Sequence, residues 1–158
     1  MKIKRRTLEQ LARTSQLRVT VIRMSRCFAE PADIMAVYRL HRGVDRRDVA
    51  AAHKLALEAE GLPAFDVFVV SGQSPFHQED CVDLLNNPDR VLRDRCPDLL
   101  AKLEEIGSRQ RNSIDRVYDS SKAIHVLGWR PLYGFVEIFN QLQRGSPEVL
   151  PFEKAAKA

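Results

Sequence analysis

Arg18-Val-Thr-Val-Ile-Arg-Met24 is the stretch whose reading decides the fold. It is rich in β-branched residues and nearly continuous in apolar character, which predicts a strand buried on both faces of a parallel sheet. Ala64-Phe-Asp-Val-Phe-Val-Val70 repeats that character and is closed by Ser71-Gly72. Between the two, Ala52, Leu55, Ala56 and Ala59 form the apolar stripe of a helix from Asp48 to Glu60. Asp48 stands where it can cap the first free amides, and Gly61 with Pro63 stops the helix. Strand, helix, strand is the order of a right-handed crossover between parallel neighbours, here with a longer connection than usual.

Outward from this unit, Leu8, Leu11, Ala12 and Ser15 recur at helical spacing and predict an amphipathic helix ending near Gln16. Ser25 to Leu40 is less regular and contains Pro31, so it reads as a long functional loop. The second half is helix-rich: 75–85, 98–106, 119–127 and 134–142 all carry apolar residues on one face. From Gly145 to Ala158 no pattern is visible, and a flexible tail is expected after one domain spanning 1–144.

The 158 residues are 44% hydrophobic and 29% charged, which excludes wholesale disorder. No apolar run approaches the ~20 residues of a membrane span, and the basic N-terminus is not followed by the apolar segment of a secretory signal. Three cysteines, Cys27, Cys81 and Cys96, form no CxxC pair and read as reduced, mostly buried thiols in a cytoplasmic protein. His41, His53, His77 and His125 are widely separated, so no metal ligand set is expected. The net charge of +4 is mild, but arginine greatly outnumbers lysine. Its planar fork grips phosphate bidentately.

Three stretches together resemble the NAD(P)-dependent epimerase/dehydratase family, the extended short-chain dehydrogenases. Leu17-Arg-Val-Thr-Val-Ile-Arg-Met-Ser-Arg-Cys-Phe28 looks like the sixth sheet strand of that family and its following loop. Gly43-Val-Asp-Arg-Arg-Asp-Val-Ala-Ala-Ala-His53 is similar to its V-D-x-x-D-V-A-x-A-H helix start. Asp119-Ser-Ser-Lys-Ala-Ile-His-Val-Leu-Gly-Trp-Arg-Pro131 matches D-x-x-K-A-x-x-x-L-G-W-x-P. The resemblance covers about Leu8 to Leu142 and implies an α/β, partial Rossmann-like fold. Its small parallel sheet (strands about 18–24 and 64–70) would be flanked by helices.

The resemblance also implies a nucleotide-sugar substrate and NAD or NADP. The cofactor would be bound mainly by an N-terminal half, whose glycine-rich turn is missing among the seven scattered glycines. One Tyr-x-x-x-Lys spacing occurs, Tyr118 to Lys122, but inside the third motif, whereas the family's pair precedes the sixth strand. It is read as coincidence, and no catalytic residue is assigned. This chain is therefore expected to be the C-terminal, substrate-binding part, inactive alone. It would associate with itself or with a dinucleotide-binding subunit.

Ligands of such sheets gather at the strands' carboxyl ends. That points to Met24 to Phe28 and to Ser71 and Gly72, with Met24 and Ser25 the expected cofactor contacts. The resemblance implies Arg26, Arg42 and Arg109 as substrate contacts, with Arg39 and Arg111 as neighbours. The family frequently carries asparagine where Arg26 stands. Cys27 lies in the same loop, but no base can be named beside it. The alternative reading is a non-catalytic, arginine-rich module for a phosphorylated ligand or nucleic acid; the mild charge makes nucleic acid the less favoured of the two.

Overall fold

The structure, a computed structural model, describes residues 5–108 and 113–151. Among the described residues it is α/β, with one two-stranded parallel sheet and eight α-helices. Strand β1 (Val19–Met24) lies beside β2 (Phe65–Val70) in parallel, pairing Val19 with Phe65 through to Met24 with Val70. The alternation of a strand turns Ile22, Phe68 and Val70 to one face. There they meet α3 (Arg46–Glu58), α7 (Ser121–Leu127) and the wholly buried Trp129. The other face is partly covered by α1 (Arg5–Thr14), whose Arg5 guanidinium lies 5.8 Å from the Phe65 ring centre. β1 is therefore half-buried rather than buried on both faces.

A second, helical core forms around α2 (Ala32–His41), α4 (Cys81–Asn86), α5 (Pro88–Arg95), α6 (Pro97–Glu105) and α8 (Phe135–Gln143). The presence of α2 corrects the long loop expected over 25–40. Ala32, Ala36, Val37 and Leu40 recur at helical spacing and all are buried. Pro31 sits outside the first turn, where its missing N–H costs nothing, and its carbonyl accepts the Met35 amide at 2.9 Å. α5 was not expected from its polar sequence; Asn87 caps it through the Arg90 amide at 3.4 Å, and Pro88 opens it.

Two further expectations are corrected by packing. Asp45, not Asp48, caps α3, accepting the Arg47 amide at 3.0 Å. Asp48 is buried and accepts the Leu132 and Tyr133 amides at 2.9 and 3.2 Å. The tail expected from Gly145 is docked through residue 151. Val149 is buried, Leu150 donates to the Glu30 carbonyl at 2.9 Å, and the Leu150 carbonyl accepts from Ala32 at 3.0 Å. Residues 152–158 lie outside the described residues. No described helix is long and apolar enough to cross a membrane.

Candidate functional site

Both strands stop together, so Ser25 and Ser71 stand side by side just past the carboxyl edge. The Ser25 amide still donates to the Val70 carbonyl at 2.9 Å. Beyond this point a third extended segment, Arg42–Val44, crosses the edge. Arg26 donates to the Arg42 carbonyl at 3.0 Å, Val44 to the Arg26 carbonyl at 2.9 Å, and Gly72 to the Gly43 carbonyl at 2.7 Å. The approach is close enough to require glycine. A Cβ on Gly72 would lie 2.4 Å from the Arg39 carbonyl oxygen and 2.8 Å from that of Gly43. This crossing links the helical core to the sheet core.

The crossing gathers three arginines. The Arg26 guanidinium lies 4.6 Å from the Phe28 ring centre and 4.9 Å from that of Tyr38, and it pairs with Glu30 through Nε at 3.1 Å. Arg42 lies over the same Tyr38 ring at 4.6 Å, donates to the Tyr38 hydroxyl at 3.2 Å, and reaches Asp115 at 3.4 Å. Two like charges thus share one aromatic ring, each balanced by one partly exposed carboxylate.

Arg39 is the third. It is buried, and its Nη2 is 3.5 Å from Asp45 Oδ2, while Nε and Nη1 have no partner among the described residues. Asp45 already takes two hydrogen bonds from the Arg47 side chain, at 2.8 and 3.0 Å. Burial pulls the Arg39 pKa down, yet a guanidinium stays charged in proteins. The charge is under-compensated. Arg39 lines a cleft of about 320 Å³ with Cys27, Phe28 and Met35.

The structure therefore brings Met24, Ser25, Arg26 and Arg42 to one edge and adds Arg39, which sequence spacing had ranked behind Arg42. Met24 is exposed and Ser25 buried, with the Ser25 hydroxyl unpartnered among the described residues. Arg109 and Arg111 lie outside the described residues. Cys27 is half-buried, Cys96 likewise, and Cys81 exposed; all three are free, so the expectation of mostly buried thiols is corrected. Lys122 pairs with Asp66 and lies 4.8 Å from the Phe68 ring centre, committed to the flank of β2.

A dinucleotide pyrophosphate needs a short turn from a strand into a helix N-terminus. Here β1 ends at Met24 and α2 begins only at Ala32, while β2 runs into a loop that reaches a 3-10 turn at Gln78–Asp80. The described residues do not fit that group's phosphates. Met24 and Ser25 offer an edge, not a cradle.

The fold and the site define an α/β chain with an arginine cluster at the carboxyl edge of a parallel strand pair. No family model, no curated protein and no solved structure matches it.

Proposed function

We propose that this chain is the nucleotide-sugar-binding, C-terminal portion of an NAD(P)-dependent epimerase/dehydratase, with the dinucleotide fold and Tyr-Lys pair supplied outside this sequence. One observation carries the reading: the Arg26 and Arg42 guanidinium groups both lie against the Tyr38 ring beyond the carboxyl edge of β1 and β2, and buried Arg39, with two guanidinium nitrogens unpartnered among the described residues, lines a neighbouring cleft. That edge is where open α/β sheets take ligands. A diphosphate offers the bidentate acceptors that guanidinium groups match. Arg39 supplies a nearly dry charge, and Arg26 and Arg42 a more exposed pair held in place by Tyr38. NAD or NADP would meet this chain only along Met24 and Ser25.

The test is calorimetric titration with UDP, UDP-glucose, NAD and single-stranded DNA. UDP and UDP-glucose bind, and Arg42→Ala and Arg39→Met each weaken them about tenfold, the value of one lost charged hydrogen bond. NAD gives no heat with this chain alone. Arg39→Met keeps the volume and removes the buried charge, so the fold tolerates it. Silence with both nucleotides would sink the reading. DNA affinity that falls steeply with salt would replace it with the arginine-rich module.

A further inference from the structure

A larger cavity, about 600 Å³, opens between the segment that follows β2 and the start of α7. Small-molecule sites span ~300–1,000 Å³. Its polar wall includes Ser71, Gln73, His77, Tyr118, Asp119 and Ser121, and among the described residues no lysine or arginine lines it. Lys122, next along the chain, is turned to Asp66. The cavity is thus the chemical opposite of the arginine cluster on the neighbouring strand end.

Ser71 is the decisive residue. It is 1% exposed, and its amide is held by the Ser120 hydroxyl at 2.9 Å. Its own hydroxyl has no partner among the described residues. A buried hydroxyl left unpaired costs about 1–3 kcal/mol, which a ligand group bonding to it would recover. Asp119 supplies the second anchor. It accepts the Ser121 amide at 2.8 Å, and the Ser121 hydroxyl and amide hold its carboxyl below the usual range. The carboxylate stays ionised with lone pairs to spare.

An ionised carboxylate with no lysine or arginine among the described residues of the cavity wall, and His125 as the positive neighbour acting on it, disfavours phosphate and accepts hydrogen bonds from neighbouring hydroxyls. Gln73 adds an amide that both donates and accepts, and Phe76, Ile124 and Pro131 offer an apolar wall. That combination suits a molecule with a rim of hydroxyls and a flat C–H face. We propose that this cavity binds a neutral, polyhydroxylated ligand of one or two sugar rings, at a site separate from the arginine cluster. The assignment does not rest on the nucleotide-sugar reading.

The experiment is an amide-resolved NMR titration of the full chain with glucose, galactose and maltose. At least one sugar produces saturable shifts confined to residues 71–78 and 117–121, leaving the amides of Arg26 and Arg42 unmoved. Ser71→Ala weakens that sugar about tenfold. The same change leaves Tm unchanged or raises it, because it removes an unpaired buried hydroxyl. Gln73→Ala, at an exposed position, weakens the sugar without touching the fold. No saturable shift with any of the three sugars overturns the proposal, as does unchanged affinity in Ser71→Ala. Response to glucose 6-phosphate alone overturns it too. A parallel UDP titration read at Arg26 and Arg42 reports on the arginine cluster, so either site can fail while the other stands.

Discussion

His41 closes α2 from the inside, 3% exposed, its ring set edge-on to Tyr38 with centroids 5.5 Å apart. Nδ1 donates to the Arg116 carbonyl at 3.0 Å. Burial pushes its pKa down to about 4; the Arg116 carbonyl and Asp115 act against that shift, and Arg42 and Arg116 add to it. The unfolded chain has an ordinary histidine near 6.5 and takes up a proton first as pH falls. The stability that neutral His41 provides is therefore complete above about 6.5 and is lost as pH falls towards about 4. Between pH 7 and 5 the loss is about 2 kcal/mol. Urea unfolding at the two pH values measures it. His41→Gln, which keeps a neutral donor, should flatten most of that slope. An equal slope in the variant would assign the pH dependence to other groups. The same histidine anchors the residues beside it, since Tyr118 donates to the His41 carbonyl at 2.8 Å and Arg42 follows directly. Acid should loosen the arginine cluster before it unfolds the sheet.

At the scale of elements, α3 and the turn after α7 are fastened by one residue pair distant in sequence. Trp129 Nε1 donates to the Asp48 carbonyl at 2.9 Å while the Asp48 carboxylate takes the two amides of Leu132 and Tyr133. Burial pushes the Asp48 carboxyl up, and those amides pull it back. Asp48→Ala should cost about 1–2 kcal/mol, because two part-buried amides lose their acceptor. Glu58→Ala, at an exposed position on the same helix, should cost well under 1 kcal/mol. Denaturation midpoints of the two variants decide it, and similar values would remove Asp48 from its fastening role. Sequence carries a glycine at 128, and Gly128 ends α7 in the left-handed turn at φ 65°. Sequence had misread Asp48 because two acids three apart both fit a cap, and only packing distinguishes the cap from the buried acceptor. The strands were legible because β-branched runs have few other homes. α2 was hidden by Pro31, which looks like a breaker until its place before the first turn is known. The Arg42–Val44 crossing was illegible for a different reason: it is made of backbone bonds, and only Gly43 and Gly72 betray it in sequence. Arg39 ranked second because spacing measures position along the chain, whereas its missing partners are a property of burial.

For the molecule as a whole, the open question is the second edge of β1. Val19 and Ser25 donate to the Ala64 and Val70 carbonyls of the β2 segment. The alternation of a parallel ladder then turns the amides of Thr20, Ile22 and Met24 to the opposite edge. No described strand pairs there. Beside that edge a groove of about 510 Å³ runs between β1 and α3, bordered by Val19, Ile22, Ala56 and Leu57, the last 82% exposed. An unpaired strand beside an apolar groove is a template for another strand. On the proposed function, its occupant is the last strand of the dinucleotide-binding part. Arg18 and Arg23 are exposed along β1. An antiparallel second copy would bring like charges together, which disfavours self-pairing. Thr20→Pro separates the possibilities. It removes an amide that the β1–β2 ladder does not use, so the folded chain should persist with its circular dichroism intact. Strand addition at this edge should be lost. With the dinucleotide-binding polypeptide present, sedimentation should show a complex with the unaltered chain and none with Thr20→Pro. A complex that survives the proline would move the contact away from β1, and with it the case that these two strands are the margin of a larger sheet.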